Sequence, residues 1–96
     1  MSRRFVLLVD EATAQEQDTV TKHLQTTPYG FWHHLSDAWL MTDRTDKLTT
    51  VELRDQIHRL LPGKTILAVR MDDPNIWAAI GHAEQFKWLN EAWNRD

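Results

Sequence analysis

The stretch Tyr29–Thr42, YGFWHHLSDAWLMT, decides the fold. It reads as two strands joined by a tight turn at Ser36-Asp37. Aromatic residues favour a pleated, half-buried surface, and a Ser-Asp pair between apolar runs marks a turn. Phe31, Trp32, Leu35, Trp39, Leu40 and Met41 carry bulk that must be buried. The flanking segments must therefore cover or extend this hairpin.

Upstream, Arg4 to Asp10 (RFVLLVD) is a short continuous apolar run, the pattern of a central strand buried on both faces. Thr13-Ala14-Gln15-Glu16 has capping-box spacing and opens a helix from about Ala14 to Gln25. Its apolar stripe is thin, chiefly Ala14, Val20 and Leu24. Pro28 and Gly30 separate it from the hairpin.

Downstream, Thr42 to Leu48 is polar and reads as a solvated loop. Thr49-Thr50-Val51-Glu52 repeats the capping-box spacing. The helix it opens places Leu53, Ile57, Leu60 and Leu61 on one face, and Pro62-Gly63 stops it. Lys64 to Met71 is another strand, ended by Asp72, Asp73 and Pro74. Phe86, Leu89 and Trp93 have helical spacing, so a last helix is expected from about His82 to Trp93.

The order strand, helix, strand, strand, helix, strand predicts an α+β chain. Short, right-handed connections lead to a ferredoxin-like βαββαβ sandwich with a four-stranded antiparallel sheet and an extra C-terminal helix. The 96 residues make one domain, 1–96. Both crossover helices pack on one sheet face. The other face needs the terminal helix or a second copy of the chain.

Composition narrows the function. The net charge of −3 disfavours a broad grip on nucleic acid or on an anionic membrane. With no cysteine there is neither a disulfide framework nor thiolate chemistry. The apolar run Phe5 to Val9 is too short for a signal segment or a membrane span, so a cytoplasmic location is expected. Arg3 and Arg4, with Arg44, Lys47, Arg54 and Arg59, form a basic patch if they converge. More often such charges are a solvated face.

Several residues carry a family likeness: Asp10 closing the first strand, then Tyr29-Gly30, Trp32-His33 with Leu35, and Trp39-Leu40. Leu53-Arg54-Asp55, Ile66-Leu67-Ala68-Val69, Trp77 and Trp88-Leu89 follow. In these the chain resembles the SinR-like family of small proteins, itself thought similar to the small CRISPR-associated nuclease-like integration protein. The resemblance implies a ferredoxin-like fold. From the CRISPR relatives it implies a homodimer and a metal-binding aspartate at the position of Asp10.

Candidate chemistry sits at one sheet edge. The topology brings Asp10, Glu11, the turn Ser36-Asp37 and Lys64 together there. Asp10 and Asp37 could hold Mg²⁺ or Mn²⁺, which want hard oxygen ligands, although no cofactor is required. The plainer reading makes Asp10 and Glu11 partners of a helix N-terminus and Asp37 a turn former. His33 is the other catalytic candidate beside Asp10. It shares a strand face with Phe31 and Leu35, whereas His34 points the opposite way. A hydrogen-bonded, partly buried imidazole is its bland alternative.

Five tryptophans are the compositional oddity. Trp39, Trp77, Trp88 and Trp93 are candidate partner-binding residues, or else core. Two functions follow. One is a non-enzymatic interaction module that works as a homodimer or as a protein-binding adaptor. The alternative is a metal-dependent nuclease or nucleic-acid-binding protein that uses Asp10.

Overall fold

The computed structural model describes residues 2–72 and 77–94. Asp73 and Pro74, expected to end the fourth strand, lie outside the described residues. The elements are β1 (Arg3–Val9), α1 (Ala14–Gln25), β2 (Gly30–Leu35), β3 (Ala38–Asp43), α2 (Thr50–Leu60) and β4 (Ile66–Met71). A terminal helical segment follows, with a 3₁₀ turn at Ala83–Phe86 and a π turn at Leu89–Trp93. The sheet order is β2-β3-β1-β4 and every pairing is antiparallel. This is the ferredoxin-like sandwich that the pattern predicts, with the hairpin at one side of the sheet.

The helix ends follow from their caps. Thr13 Oγ1 accepts from the Glu16 amide at 3.1 Å, and Glu16 returns a bond to the Thr13 amide at 2.9 Å. The bond from the Thr13 amide, and then Lys64, hold the Glu16 carboxyl below its ordinary pKa. At α2 the Thr49 hydroxyl also accepts from the Glu52 amide, but Glu52 Oε1 takes the Thr49 hydroxyl proton instead of reaching the amide.

Strand register sorts the side chains onto two faces. On the helix side, Phe5, Leu7 and Val9 of β1 and Trp39 and Met41 of β3 are buried against Val20 and Leu24 of α1 and Leu53 and Ile57 of α2. Ala14, expected in the α1 stripe, is exposed. His23 Nε2 meets Gln56 Oε1 at 3.1 Å and links the two helices.

The opposite face, here the tail face, carries three rows across β2, β3, β1 and β4. They are Gly30–Thr42–Arg4–Met71, Trp32–Leu40–Val6–Val69 and Leu35–Ala38–Leu8–Leu67. Trp32, Leu89 and Trp93 make a second buried cluster there, packed with Val6, Leu40, Met71, Trp77, Phe86 and Trp88. The terminal segment thus covers its own sheet over the first two rows. Gly30 permits its approach: a Cβ there would lie 2.7 Å from Thr42 Oγ1 and 3.5 Å from Trp88 Cζ2.

Four further sequence-based expectations change. First, β1 is central, but it is buried on both faces only along part of its length, and Leu8 is exposed. Second, β2 bulges: Trp32 pairs with Leu40 and Leu35 with Ala38, so three steps face two. The extra residue moves Leu35 to the tail face, while His33 stays on the helix face, stacked on Trp39. Third, the terminal segment is not a regular α-helix. Its closing bond runs from the Asn94 amide to the Leu89 carbonyl, and Arg4 Nε donates to the Trp93 carbonyl at 2.6 Å. The buried Arg4 guanidinium therefore holds the end of the tail from beneath.

The fourth change concerns the loop expected at Thr42 to Leu48. It contains a fully buried carboxylate, Asp43. Its oxygens accept from the Thr45 amide (2.9 Å) and hydroxyl (2.6 Å) and from the Lys47 (3.0 Å) and Leu48 (2.7 Å) amides. These bonds fold the chain back, with Asp46 at a φ of 59°, and seat Leu48 in the core. Burial pushes the Asp43 carboxyl up. The Thr45 hydroxyl and the three amides outweigh that and hold it below the usual carboxylate range.

Replacing Asp43 by Ala strands three amides, so Asp43→Ala should lower stability by about 3 kcal/mol in denaturant melts. The pH dependence follows from the depressed pKa. In acid the unfolded chain takes up the Asp43 proton before the native state does. Stability from this group is therefore complete above the ordinary carboxylate pKa and is lost as pH falls through the lower native value. Asp43→Asn should remove that part of the acid limb of the stability curve. Arg4→Met should speed amide exchange across residues 83–94 while leaving α1 and α2 protected. A uniform change throughout the chain would contradict the anchoring role of Arg4.

Candidate functional site

The upper end of the sheet gathers the residues that the topology predicts. The Val9 amide donates to the Asp37 carbonyl at 2.8 Å, and the Asp10 amide to the Thr65 carbonyl at 3.1 Å. Asp37 Oδ1 accepts from the Ala12 amide at 3.0 Å. Lys64 Nζ reaches the Glu11 carbonyl at 2.8 Å and Glu16 Oε1 at 3.1 Å. The edge is thus a mutual brace: the hairpin turn, the end of β1, the start of α1 and the approach to β4 hold one another.

A groove of about 230 Å³ opens beside it, lined by Leu8, Val9, Asp10, Asp37, Thr65 and Leu67. Asp10 and Asp37 therefore share one surface, and both are exposed. One oxygen of Asp37 is already used by the Ala12 amide. Among the described residues no group of three or more His, Cys, Asp or Glu side chains is placed to hold a metal ion.

His33 is engaged at both ring nitrogens. Nδ1 lies 2.9 Å from the Ala38 carbonyl and Nε2 lies 3.2 Å from Gln17 Oε1. Its ring stacks on the Trp39 indole, centroids 4.1 Å apart and planes 3° from parallel. Both nitrogens already face protein oxygens, so the geometry is that of a packed, hydrogen-bonded imidazole.

The tryptophans divide by location. Trp39 is fully buried under α1, its indole N–H donating to Thr21 Oγ1 at 3.2 Å. It is core, which removes it from the surface-anchor candidates. Trp93 is buried in the second cluster as well. Trp77 and Trp88 are half-buried, Trp77 donating to Asn94 Oδ1 at 3.0 Å. The Trp32 N–H donates to the Gln85 carbonyl. These rings fasten the tail to the sheet.

What remains uncovered is aliphatic. The third row of the tail face, Leu35–Ala38–Leu8–Leu67, lies beyond the tail. Leu35 is 59% exposed and Leu67 53%, with Leu8 and Val69 exposed beside them. At one end of this row a second groove of about 240 Å³ runs between Trp32, His34 and Leu35 and the segment Ala78–Ala79–Ile80. At the other end is the free edge of β4. There a slot of about 210 Å³ lies against α2, lined by Thr50, Val51, Arg54, Ile66, Leu67 and Ala68. Val51 is exposed in it.

Sequence reading missed this surface. Leu8, Leu67 and Val69 sit in continuous apolar runs, which announce burial on both faces.

Of the basic residues, Arg3 reaches the loop that carries Arg44 and Lys47, where it pairs with Asp46 at 3.0 Å and donates to the Leu48 carbonyl. Arg4 is buried, and Arg54 pairs with Asp55 at 2.8 Å. No helix among the described residues is long and apolar enough to cross a membrane.

No known protein family, curated protein or solved structure matches this chain.

Asp37→Ala should lower stability by about 1 kcal/mol, because the Ala12 amide loses its acceptor. Titration calorimetry with Mn²⁺ or Mg²⁺ tests the carboxylate pair directly. Two carboxylates, one already committed to an amide, should give no saturable heat. A saturable heat that Asp10→Ala abolishes would reinstate a metal site.

Proposed function

We propose that this chain is a non-enzymatic interaction module that docks a protein chain, a second copy of itself or an adaptor's client, on the uncovered part of its sheet. The observation that carries this reading is the exposure of Leu35, Leu8 and Leu67, with Val69 beside them, while the tail packs on most of the rest of the same face. Contiguous exposed aliphatic residues rimmed by polar ones mark docking surfaces more often than catalytic ones. The groove chemistry agrees: the slots beside the row are lined mainly by Leu, Ile, Val, Ala and Trp. The ring nitrogens of His33 are both engaged, and the cations are largely paired with carboxylates. A cytoplasmic location belongs to the same reading, for a chain without cysteine.

The experiment is mass against concentration by light scattering or sedimentation, with and without Leu67→Asp. Leu67 is exposed, so the substitution should leave the thermal melt nearly unchanged. The wild type should associate with rising concentration, and Leu67→Asp should weaken that association at least tenfold. A wild type that stays monomeric at high concentration, with Leu67→Asp indistinguishable from it, would remove the homodimer and leave only the adaptor form of the reading.

A further inference from the structure

The two edges of the sheet are not alike. At the β2 edge the strand bulges between Trp32 and Leu35, and the Trp32 indole is tied to Gln85 of the tail. Bulges and covers are the usual means of stopping an edge from recruiting another strand. β4, the other edge, pairs with β1 in unbroken register from Ile66 to Met71.

The hydrogen-bond phase of β4 can be read from its pairing. The Asp10 amide donates to the Thr65 carbonyl, whereas the Val9 amide donates to β3's side, at Asp37. Antiparallel ladders alternate. Thr65, Leu67, Val69 and Met71 therefore turn their backbone groups to β1, and Ile66, Ala68 and Arg70 turn theirs outward.

We propose that the partner is a second copy of this chain, added antiparallel along β4 about a two-fold axis at Ala68. The claim rests on the docking reading above and specifies its geometry. A two-fold axis perpendicular to the sheet pairs outward-facing residues with outward-facing residues. It keeps the helices of both copies on the same side. Centring it on Ala68 sets Ala68 against Ala68, Ile66 against Arg70 and Leu67 against Val69 of the other copy.

The same register sets Lys64 against Asp72, once at each end. Sliding the axis to Leu67 would set Lys64 against Arg70, two like charges. Sliding it to Val69 would set Ile66 against Asp72. Charge and hydropathy together select the Ala68 register. On the tail face, Leu67 and Val69 meet side by side and the bare rows of the two copies join into one stripe. On the helix face the Arg70 stem lies over Ile66. Asp72 is largely exposed and, among the described residues, pairs with Arg70 at 3.1 Å; the facing Lys64, bonded in its own copy to the Glu11 carbonyl and Glu16, has a third ammonium proton to offer it.

The chain has no cysteine, so introduced thiols report the register without background. In the Ala68 register two Cα atoms at position 68 lie about 5.5 Å apart, within disulfide range. Oxidised Ala68→Cys should therefore run as a covalent dimer. Leu67→Cys alone should not, because its own copy sits diagonally, about 7–8 Å away. A mixture of Leu67→Cys and Val69→Cys should cross-link. Asp72→Lys faces Lys64 of the other copy and should weaken the dimer roughly tenfold at low salt, with a smaller effect at high salt. Thermal melts of each variant establish that it is folded.

Dimers that form without the 68–68 and 67–69 cross-links would overturn the β4 register and leave the docking reading standing on another surface. A chain that is monomeric at every concentration would overturn the self-pairing. In that case the docking reading would stand in its adaptor form alone, with a client chain rather than a second copy on the β4 edge.

Discussion

A sheet with apolar residues on both faces needs two covers, and the rest of this structure depends on how the second is supplied. The crossover helices close one face because the βαββαβ order puts both of them there. The second cover is the short terminal segment, too small to make a layer of its own. It is effective because it is fixed at defined points. Arg4, beneath the tail, takes the Trp93 carbonyl, and Gly30 gives room to the Trp88 ring. The Trp32 and Trp77 indole N–H groups are bonded to Gln85 and Asn94. Tryptophan suits the task because one ring removes a large apolar area from water at the loss of only two side-chain torsions.

Most of the architecture was legible from pattern. Thr13 and Thr49 start their helices where capping-box spacing places them, and Ser36-Asp37 turns the hairpin. What was not legible lies where a polar residue is buried or a period slips. Asp43 looks solvated in the run Thr42 to Leu48, since nothing in the sequence says that its four acceptor contacts will be met by the next five residues. Arg4 looks like a charged N-terminal residue until the tail arrives over it, 89 positions later. The bulge after Trp32 adds one residue to β2, and a single residue is enough to reverse the face of Leu35.

The candidate site was half legible. Topology alone brings Asp10, Asp37 and Lys64 to one edge, and they are there. Their use differs from the metal reading, because Asp37 binds an amide and Lys64 spans Glu11 and Glu16. The bare row could not be read at all. Leu8 and Leu67 sit in runs of residues identical in character to their buried neighbours, so nothing in the pattern marks them as exposed.

The contrast between edges gives the docking surface its direction. An edge that is bulged and tied to the tail offers few regular backbone partners to another strand. An edge in unbroken register, with an aliphatic row on one side and an apolar slot on the other, offers many. Natural sheets place charge along such an edge, and here Arg70 of β4 does so with Lys64 and Asp72 at its flanks. A single-sign set would repel a second copy in every register. The mixed signs here repel it in one register and attract it in another, so in the proposed pairing the charges that guard the edge against indiscriminate contact also set the register.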